Sequence, residues 1–249
     1  MKNEMEVLKF GGSSLVSADA MQRVRDVLVA RRGTQRIVVC SAMGGVTNAL
    51  IQIGLKAAQG DAGYTDLLDE LIERHRKTLD DLGMASDADV RSELNGKFDR
   101  LRSLCAGISL LEELSAKSMD QLVSFGERLA VPMVHAWLDM AGLKLRRVDA
   151  REWIVTDDQF GAAEVDREAS ARNIQDGVLV DDSFEVLITE GFIGKTATGD
   201  TTTLGRGGSD YTASLIASAI EADCLEKSTD VPGMLTADPR MVPEAQVID

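Results

Sequence analysis

The sequence predicts an α/β fold built around a mainly parallel β-sheet. Two apolar segments, Met5 to Phe10 and Ile37 to Cys40, each run directly into a glycine-containing loop, and a helical pattern follows each loop. The second segment is a continuous, largely β-branched run, which is typical of a strand buried on both faces. A strand, a glycine turn and a helix that recur in this order indicate parallel βαβ units.

The other elements follow from periodicity and breakers. A helix is predicted from an N-cap at Ser17 to a stop at Gly33, because apolar residues recur between them at i, i+3 and i+4. A second helix begins at Val46, and residues 64–143 are almost wholly helical, with a break at Gly126. The later predictions are strands at 144–148, 154–156 and 184–189, a polar turn region at 195–208, a helix at 209–220, a strand from 225 and a loop at 229–240.

Composition excludes several classes of protein. The 249 residues are 44% hydrophobic and 27% charged, which is enough to bury a sizeable core. No apolar run approaches the ~18 residues of a membrane span, and the acidic first residues lack the apolar region of a signal peptide. The three cysteines are far apart and odd in number, which predicts reduced core thiols of a cytosolic protein. The net charge of −14 repels nucleic acid, anionic membranes and phosphorylated metabolites, so any anion site must be built locally.

Lys9 stands at the end of the first predicted strand and is followed by Gly11, Gly12 and Ser13. An ammonium group and backbone N–H groups are thereby placed at the carboxyl edge of a parallel sheet, where open α/β folds bind ligands. Such clustered amides hold phosphates. The spacing matches neither the P-loop nor the dinucleotide-binding pattern, and a tight turn beside a solvated lysine is the alternative interpretation.

The segment after the second strand repeats this arrangement with hydroxyl groups. Ser41 and Thr47 flank a pair of glycines just before a predicted helix. Small hydroxyl donors near a helix N-terminus suit a carboxylate or phosphate oxygen. An ordinary N-cap with a glycine turn explains the same residues.

The segment Gly205 to Asp210 is the strongest local signal. Its glycines let the backbone approach a ligand closely, and Arg206 offers a planar fork to a carboxylate or phosphate. Ser209 follows, and Asp210 stands about where a helix begins, so Asp210 is explained equally by N-capping. A structural role does not explain Arg206 between glycines.

Two further segments are weaker. Thr229, Asp230 and Arg240 lie in a turn-rich loop that could contact a nucleotide, although turn chemistry explains most of it. Glu127 could face a cleft or simply pair with Arg128. The two histidines lack a second ligand at helical spacing, which argues against zinc, and no nucleophile elbow is present.

Six motifs, taken together and in this order, resemble the kinase domain of aspartate kinases in the amino-acid kinase superfamily: KFGGSS, SAMGGVTN, SFGERL, ITEGFIG, TTTLGRGGSDYTA and STDVPGMLTADPR. The resemblance runs from Lys9 to Val247 and implies one catalytic domain over residues 1–249. It also implies a three-layer α/β/α sandwich with a mainly parallel central sheet and the site at the carboxyl ends of the strands. Acetylglutamate, glutamate and uridylate kinases share the fold but not this combination of motifs.

The resemblance implies ATP-dependent phosphorylation of the β-carboxylate of L-aspartate, the first step towards lysine, threonine and methionine. Lys9 would bridge the transferring phosphoryl group, and Asp210 would orient Lys9. Glu127 would hold the amino group of aspartate and Arg206 a carboxylate. The other implied contacts are Ser41, Thr47 and Ser209 to aspartate, Gly11, Gly12 and Ser13 along the phosphate path, and Thr229, Asp230 and Arg240 around the nucleotide. Mg²⁺ would be held chiefly by phosphate oxygens and water, so no protein ligand is named.

The chain also departs from the family pattern. Ser228 and Leu235 stand where many members carry aromatic residues, which leaves fewer rings against adenine. The family continues past the position of Asp249 with a helix and two ACT regulatory domains, so we expect the kinase portion of a longer polypeptide without feedback inhibition of its own. Members commonly dimerise, often through those later parts, so we expect a weak or altered homodimer. Two alternatives stay open, namely a non-catalytic nucleotide- or aspartate-binding domain and a sister kinase for another acidic amino acid.

Overall fold

The structure, a computed structural model, describes residues 5–31, 34–179, 183–228, 236, 241–242 and 244–246. Its strands are β1 (Met5–Phe10), β2 (Gln35–Cys40), β3 (Leu145–Arg147), β4 (Val155–Thr156), β5 (Val186–Glu190), β6 (Ile193–Thr196), β7 (Thr201–Thr203) and β8 (Cys224–Ser228). Its α-helices are α1 (Ala18–Ala30), α2 (Val46–Ala58), α3 (Tyr64–Asp81), α4 (Ala88–Leu111), α5 (Ala116–Val123), α6 (Phe125–Asp139), α7 (Ala150–Trp153), α8 (Arg167–Leu179) and α9 (Gly208–Ala219), and a 3₁₀ turn covers Gly12–Leu15.

Five strands form the central sheet in the order β3-β5-β2-β1-β8, and every pair in it is parallel. β2 and β5 are almost completely buried, as their apolar sequences predict. Because parallel strands all end at the same edge, the loops after β1, β2 and β5 are brought together there.

Alternate residues of β1, β2 and β5 enter two separate cores, which makes the molecule three-layered. Leu8 and Val38 pack into a core that includes residues of α1 to α6. Val7 and Ile37 face the opposite way, into a core with residues of α7, α8 and α9. The predicted α/β/α sandwich with a parallel central sheet is confirmed.

The polar region at 195–208, predicted as a turn, contains a β-hairpin. β6 pairs with β7 antiparallel, and β4 adds to β6 in a second, three-stranded sheet. The turn is closed by a bond from the Thr196 N–H to the Asp200 carbonyl (2.9 Å). The β-branched residues Thr201–Thr203 form the second strand of the hairpin, because such residues favour strands. The sequence does not distinguish this strand from a turn, because the segment is rich in threonine and glycine.

Two smaller predictions are also wrong. Gly126 lies inside α6 rather than breaking the helix, and the junction with α5 is at Ser124. A Cβ at Gly126 would lie 2.8 Å from the Ala42 Cβ, so close packing explains this glycine. Cys40 and Cys105 are buried free thiols, as predicted, but Cys224 is exposed because it begins the edge strand β8. None of the helices in the described ranges is long and apolar enough to cross a membrane.

Candidate active site

A cavity of about 330 Å³ lies at the carboxyl edge of the central sheet, beside the loops after β1, β2 and β5 and the start of α9. Eight of the residues predicted for the site line it, namely Lys9, Gly12, Ser41, Thr47, Glu127, Arg206, Ser209 and Asp210. They come from four separate segments of the chain, so the fold brings the predicted motifs together in one place.

The loops after β1 and β2 contact each other through glycines. The Gly44 N–H donates to the Gly12 carbonyl (3.0 Å). A Cβ at Gly12 would lie 3.1 Å from the Gly44 Cα, so a side chain here would push the two loops apart. This close approach sets one wall of the cavity and explains why both motifs carry glycine.

Lys9 is held by the carboxylate of Asp210. The Lys9 Nζ lies 2.8 Å from Asp210 Oδ1, and the Lys9 side chain is only 14% exposed. Burial opposes ionisation of Asp210, but hydrogen bonds from Lys227 and Lys9 outweigh burial and lower its pKa. Asp210 is therefore ionised at neutral pH, and it holds the Lys9 Nζ beside the cavity.

Asp210 does not cap α9, contrary to one of its two predicted roles. The helix begins at Gly208, and its N-cap is Gly207, whose φ of 75° lies in the left-handed region that glycine tolerates best. Asp210 is in the first helical turn, from which its side chain reaches the lysines. Its carboxylate serves the site rather than the helix end.

Glu127 is a buried carboxylate in the first turn of α6, with 3% of its surface exposed. Its Oε1 accepts a hydrogen bond from the Ala42 N–H (3.1 Å), and its Oε2 is buried with no hydrogen-bond partner among the described residues. Burial raises the pKa of Glu127 to about 8, and the charge of Glu190 adds to this effect. An ammonium group from a ligand would supply the missing partner.

Glu190 ends β5 behind this wall and is also buried. Its Oε2 accepts from the Ala150 N–H (3.0 Å). Burial, together with the charge of Asp149, raises the pKa of Glu190 to about 7. Glu190 is thus a second buried carboxyl group, and its charge helps to raise the pKa of Glu127.

Two helix N-termini face the cavity through its lining residues, α2 through Gly45 and Thr47, and α9 through Gly207, Gly208 and Ser209. Helix N-termini carry partial positive charge and unsatisfied N–H groups. Arg206 lies exposed on the rim between them. In a chain of net charge −14, these groups and Lys9 concentrate positive charge at the cavity, as a locally built anion site requires.

Sequence reasoning missed three residues of this region. Lys227 contributes a second ammonium group, 2.7 Å from Asp210 Oδ2, and the signal that could have found it is its position opposite Lys9 on the neighbouring strand. Phe192 lines the cavity with a positive φ of 70°, a strained conformation for a non-glycine residue. The third residue, Asp120, acts from outside the cavity.

Asp120 is buried and fixes the hairpin that leads into the Arg206 loop. It accepts hydrogen bonds from the Thr203 N–H and hydroxyl (both 2.8 Å) and from the Gly161 N–H (3.0 Å). Burial outweighs these bonds and raises the pKa of Asp120. Its partners are 41 and 83 positions away, so no local pattern could have indicated the role.

Two predicted residues lie next to the cavity rather than in its lining. A Cβ at Gly11 would lie 3.3 Å from the Lys9 Nζ. Ser13 lines a neighbouring cavity of about 320 Å³ between α1 and β1, together with Ser228. Thr229, Asp230 and Arg240 lie outside the described residues.

Comparison with known proteins agrees with this geometry. Residues 4–249 match the model of the amino acid kinase family. The chain belongs to this family. Its relatives include aspartokinase 2, chloroplastic, of Arabidopsis thaliana (36% identical over 97% of this chain and 45% of the relative). Another is the lysine-sensitive aspartokinase 3 of Escherichia coli (35% identical over 99% and 54%).

The solved structures similar to this member of the amino acid kinase family include aspartokinases. E. coli aspartokinase III, crystallised in complex with aspartate and ADP in its R-state, superposes with a TM-score of 0.90 at 35% identity, covering 99% of this chain and 54% of that one. The aspartate kinase of Clostridium acetobutylicum gives a TM-score of 0.76 at 25% identity, covering 98% and 52%. The chain spans about half the length of these relatives.

Proposed function

We propose that this protein transfers the γ-phosphoryl group of ATP to the β-carboxylate of L-aspartate. The observation that carries the proposal is the Lys9–Asp210 ion pair at one end of a cavity whose walls also include Glu127 and Arg206. Such a cavity offers one carboxyl group, which the ammonium group of a ligand would ionise, and two cations for anions. The relatives named above, and the aspartate and ADP bound to E. coli aspartokinase III, support the same substrates.

Aspartate would be oriented by charge at both ends. The partnerless Oε2 of Glu127 would accept a hydrogen bond from the α-amino group, and Arg206 would fork onto a carboxylate. The remaining contacts that we propose to aspartate come from the hydroxyl groups of Ser41, Thr47 and Ser209. Held in this way, the other carboxylate points towards Lys9.

Transfer needs positioning and charge neutralisation more than a covalent nucleophile. A carboxylate oxygen of aspartate forms the new bond to phosphorus while the bond to the leaving ADP oxygen breaks. The attacking carboxylate is already ionised at neutral pH, so no general base is required. Lys9, fixed by Asp210, would neutralise the phosphoryl oxygens in transit, and Gly11, Gly12 and Ser13 would line the path of the phosphates.

Magnesium is proposed to arrive with the nucleotide. Within the described residues, no group of three or more acidic, histidine or cysteine side chains is placed to hold a metal ion, and both oxygens of Asp210 already face lysines. The side chains near the cavity thus fit a Mg²⁺ ion that is held by phosphate oxygens and water. The ion would supply further neutralisation of the phosphate charge. Thr229, Asp230 and Arg240 remain proposed nucleotide contacts.

Aspartyl hydroxamate formation from ATP, Mg²⁺ and hydroxylamine tests the proposal, with glutamate and no amino acid as parallel reactions. We expect product with aspartate and little with glutamate. A preference for glutamate would show that the substrate is glutamate rather than aspartate. Binding of ATP and aspartate without product would show that the protein is a binding domain and not an enzyme. Four further statements stay predictions: that the chain is part of a longer polypeptide, that it forms a homodimer, that it is cytoplasmic, and that it acts in lysine, threonine and methionine synthesis.

A further inference from the structure

Lys227 lies directly opposite Lys9 on the neighbouring parallel strand. The register pairs Lys9 of β1 with Lys227 of β8. Opposite residues of a parallel pair point to the same face of the sheet, on strands about 4.8 Å apart. Two ammonium groups therefore stand side by side at the carboxyl edge, an arrangement that needs an anion between them.

Asp210 supplies only part of the required negative charge. One of its oxygens contacts Lys9 (2.8 Å) and the other contacts Lys227 (2.7 Å). Two ammonium groups on a single carboxylate leave the cluster with one excess positive charge. The hydrogen bonds from both lysines also lower the pKa of Asp210, so its proton does not add to that excess at neutral pH.

The order of the strands gives Lys227 a different position from Lys9. Ser41 follows β2, Lys9 is on β1 and Lys227 is on β8, so Lys9 stands between Ser41, one of the proposed aspartate contacts, and Lys227. Lys227 is not part of the cavity lining that contains Glu127 and Arg206. Its side chain is 50% exposed, against 14% for Lys9, and is open to a ligand from the side opposite aspartate.

We propose that Lys227 binds the β-phosphate of the nucleotide and neutralises the charge left on ADP. This inference rests on the proposed function. When the bond between the γ-phosphorus and its bridging oxygen breaks, the electron pair stays on that oxygen, on the far side of Lys9 from aspartate. A fixed cation is most effective where charge develops during the reaction.

Lys227→Met and Lys227→Arg test this role by calorimetric binding of ADP and AMP. We expect Lys227→Met to weaken ADP binding about tenfold, the value of one interaction of roughly 1.4 kcal/mol, and to leave AMP binding unchanged. Lys227→Arg keeps the charge and should bind ADP within about threefold of the parent chain. Lys227→Met should also lower kcat/KM for ATP about tenfold or more, with KM for aspartate changed less than twofold.

Lys117→Met is the matched control, because Lys117 is 54% exposed and also pairs with a single aspartate, Asp200, at 2.7 Å. Unchanged ADP binding by Lys227→Met, or an equal loss for ADP and AMP, overturns the inference. If Lys227→Met lowers kcat but leaves the ADP affinity unchanged, Lys227 acts only through Asp210, and this result also overturns the inference. If ADP binding depends on Lys227 but no aspartyl phosphate forms, only the proposed function is refuted. If the parent chain does not bind ADP, the proposed function and this inference are both refuted.

Discussion

Glu127→Gln should change how the stability of the protein depends on pH. The carboxyl group of Glu127 is buried, and burial raises its pKa from 4.5 to about 8. The folded protein therefore binds a proton here that the unfolded chain has lost, so the free energy of unfolding falls as pH rises from about 5 to about 8. Glutamine keeps the oxygen that accepts from the Ala42 N–H, but it does not titrate.

The size of the effect follows from that pKa. At about 1.4 kcal/mol for each unit of pKa, ionising Glu127 in the folded protein costs up to about 5 kcal/mol. Between pH 5.5 and 7.5, the stability of the parent chain should therefore fall by about 2 to 3 kcal/mol relative to Glu127→Gln. Glu190 contributes to the raised pKa of Glu127, so the difference between the two proteins includes this coupling.

Urea unfolding of the two proteins at pH 5.5 and 7.5 measures this difference. A saturating amino acid with a free ammonium group should reduce it, because the ammonium group pairs with the ionised carboxylate and stabilises the folded state. Parallel stability profiles for the two proteins would show that Glu127 is ionised throughout. That result would refute the assignment of its buried oxygen as a site that awaits a cation.

The remaining predictions concern the walls of the site. Asp120→Ala removes the acceptor of the Thr203 N–H, the Thr203 hydroxyl and the Gly161 N–H, and we expect urea unfolding to show a loss of about 2 to 3 kcal/mol, with a higher KM for aspartate; unchanged values would show that Asp120 does not fix the hairpin. Gly191→Ala places a Cβ 2.6 Å from the Ser209 Cβ and should cost about 1 to 3 kcal/mol. Gly96→Ala, in open space within α4, should instead stabilise by about 0.5 to 1 kcal/mol; similar thermal shifts for the two alanine variants would contradict the close packing behind Ser209.

Local chemistry made much of the site predictable. Lys9 and Gly12 could be placed at the sheet edge because an apolar strand runs straight into glycine, and a parallel sheet collects such turns on one side. The same reasoning placed Ser41 and Thr47. Arg206 was singled out because nothing structural explains an arginine between glycines.

Long-range contacts account for what local patterns missed. Asp210 looked like an N-cap because its partners, Lys9 and Lys227, are brought to it only by the pairing of β1 with β8. In the sequence, Asp120 is one acidic residue in a helical segment, and nothing nearby indicates its contact with Thr203 of the hairpin. The sequence does not reveal the hairpin because threonines flanked by glycine suit turns as well as strands, and the antiparallel pairing of β7 with β6 decides between them.

Turnover of Lys9→Met with saturating ATP and aspartate tests the central claim most directly, since Lys9 is the cation that we place on the transferring phosphoryl group. Removing one such donor should lower kcat by about 100-fold or more. Thermal unfolding and aspartate binding should stay close to the parent values, because the Lys9 side chain contributes to the edge of the site rather than to either core. A kcat within a few-fold of the parent chain would contradict the account and assign the phosphoryl group to another cation.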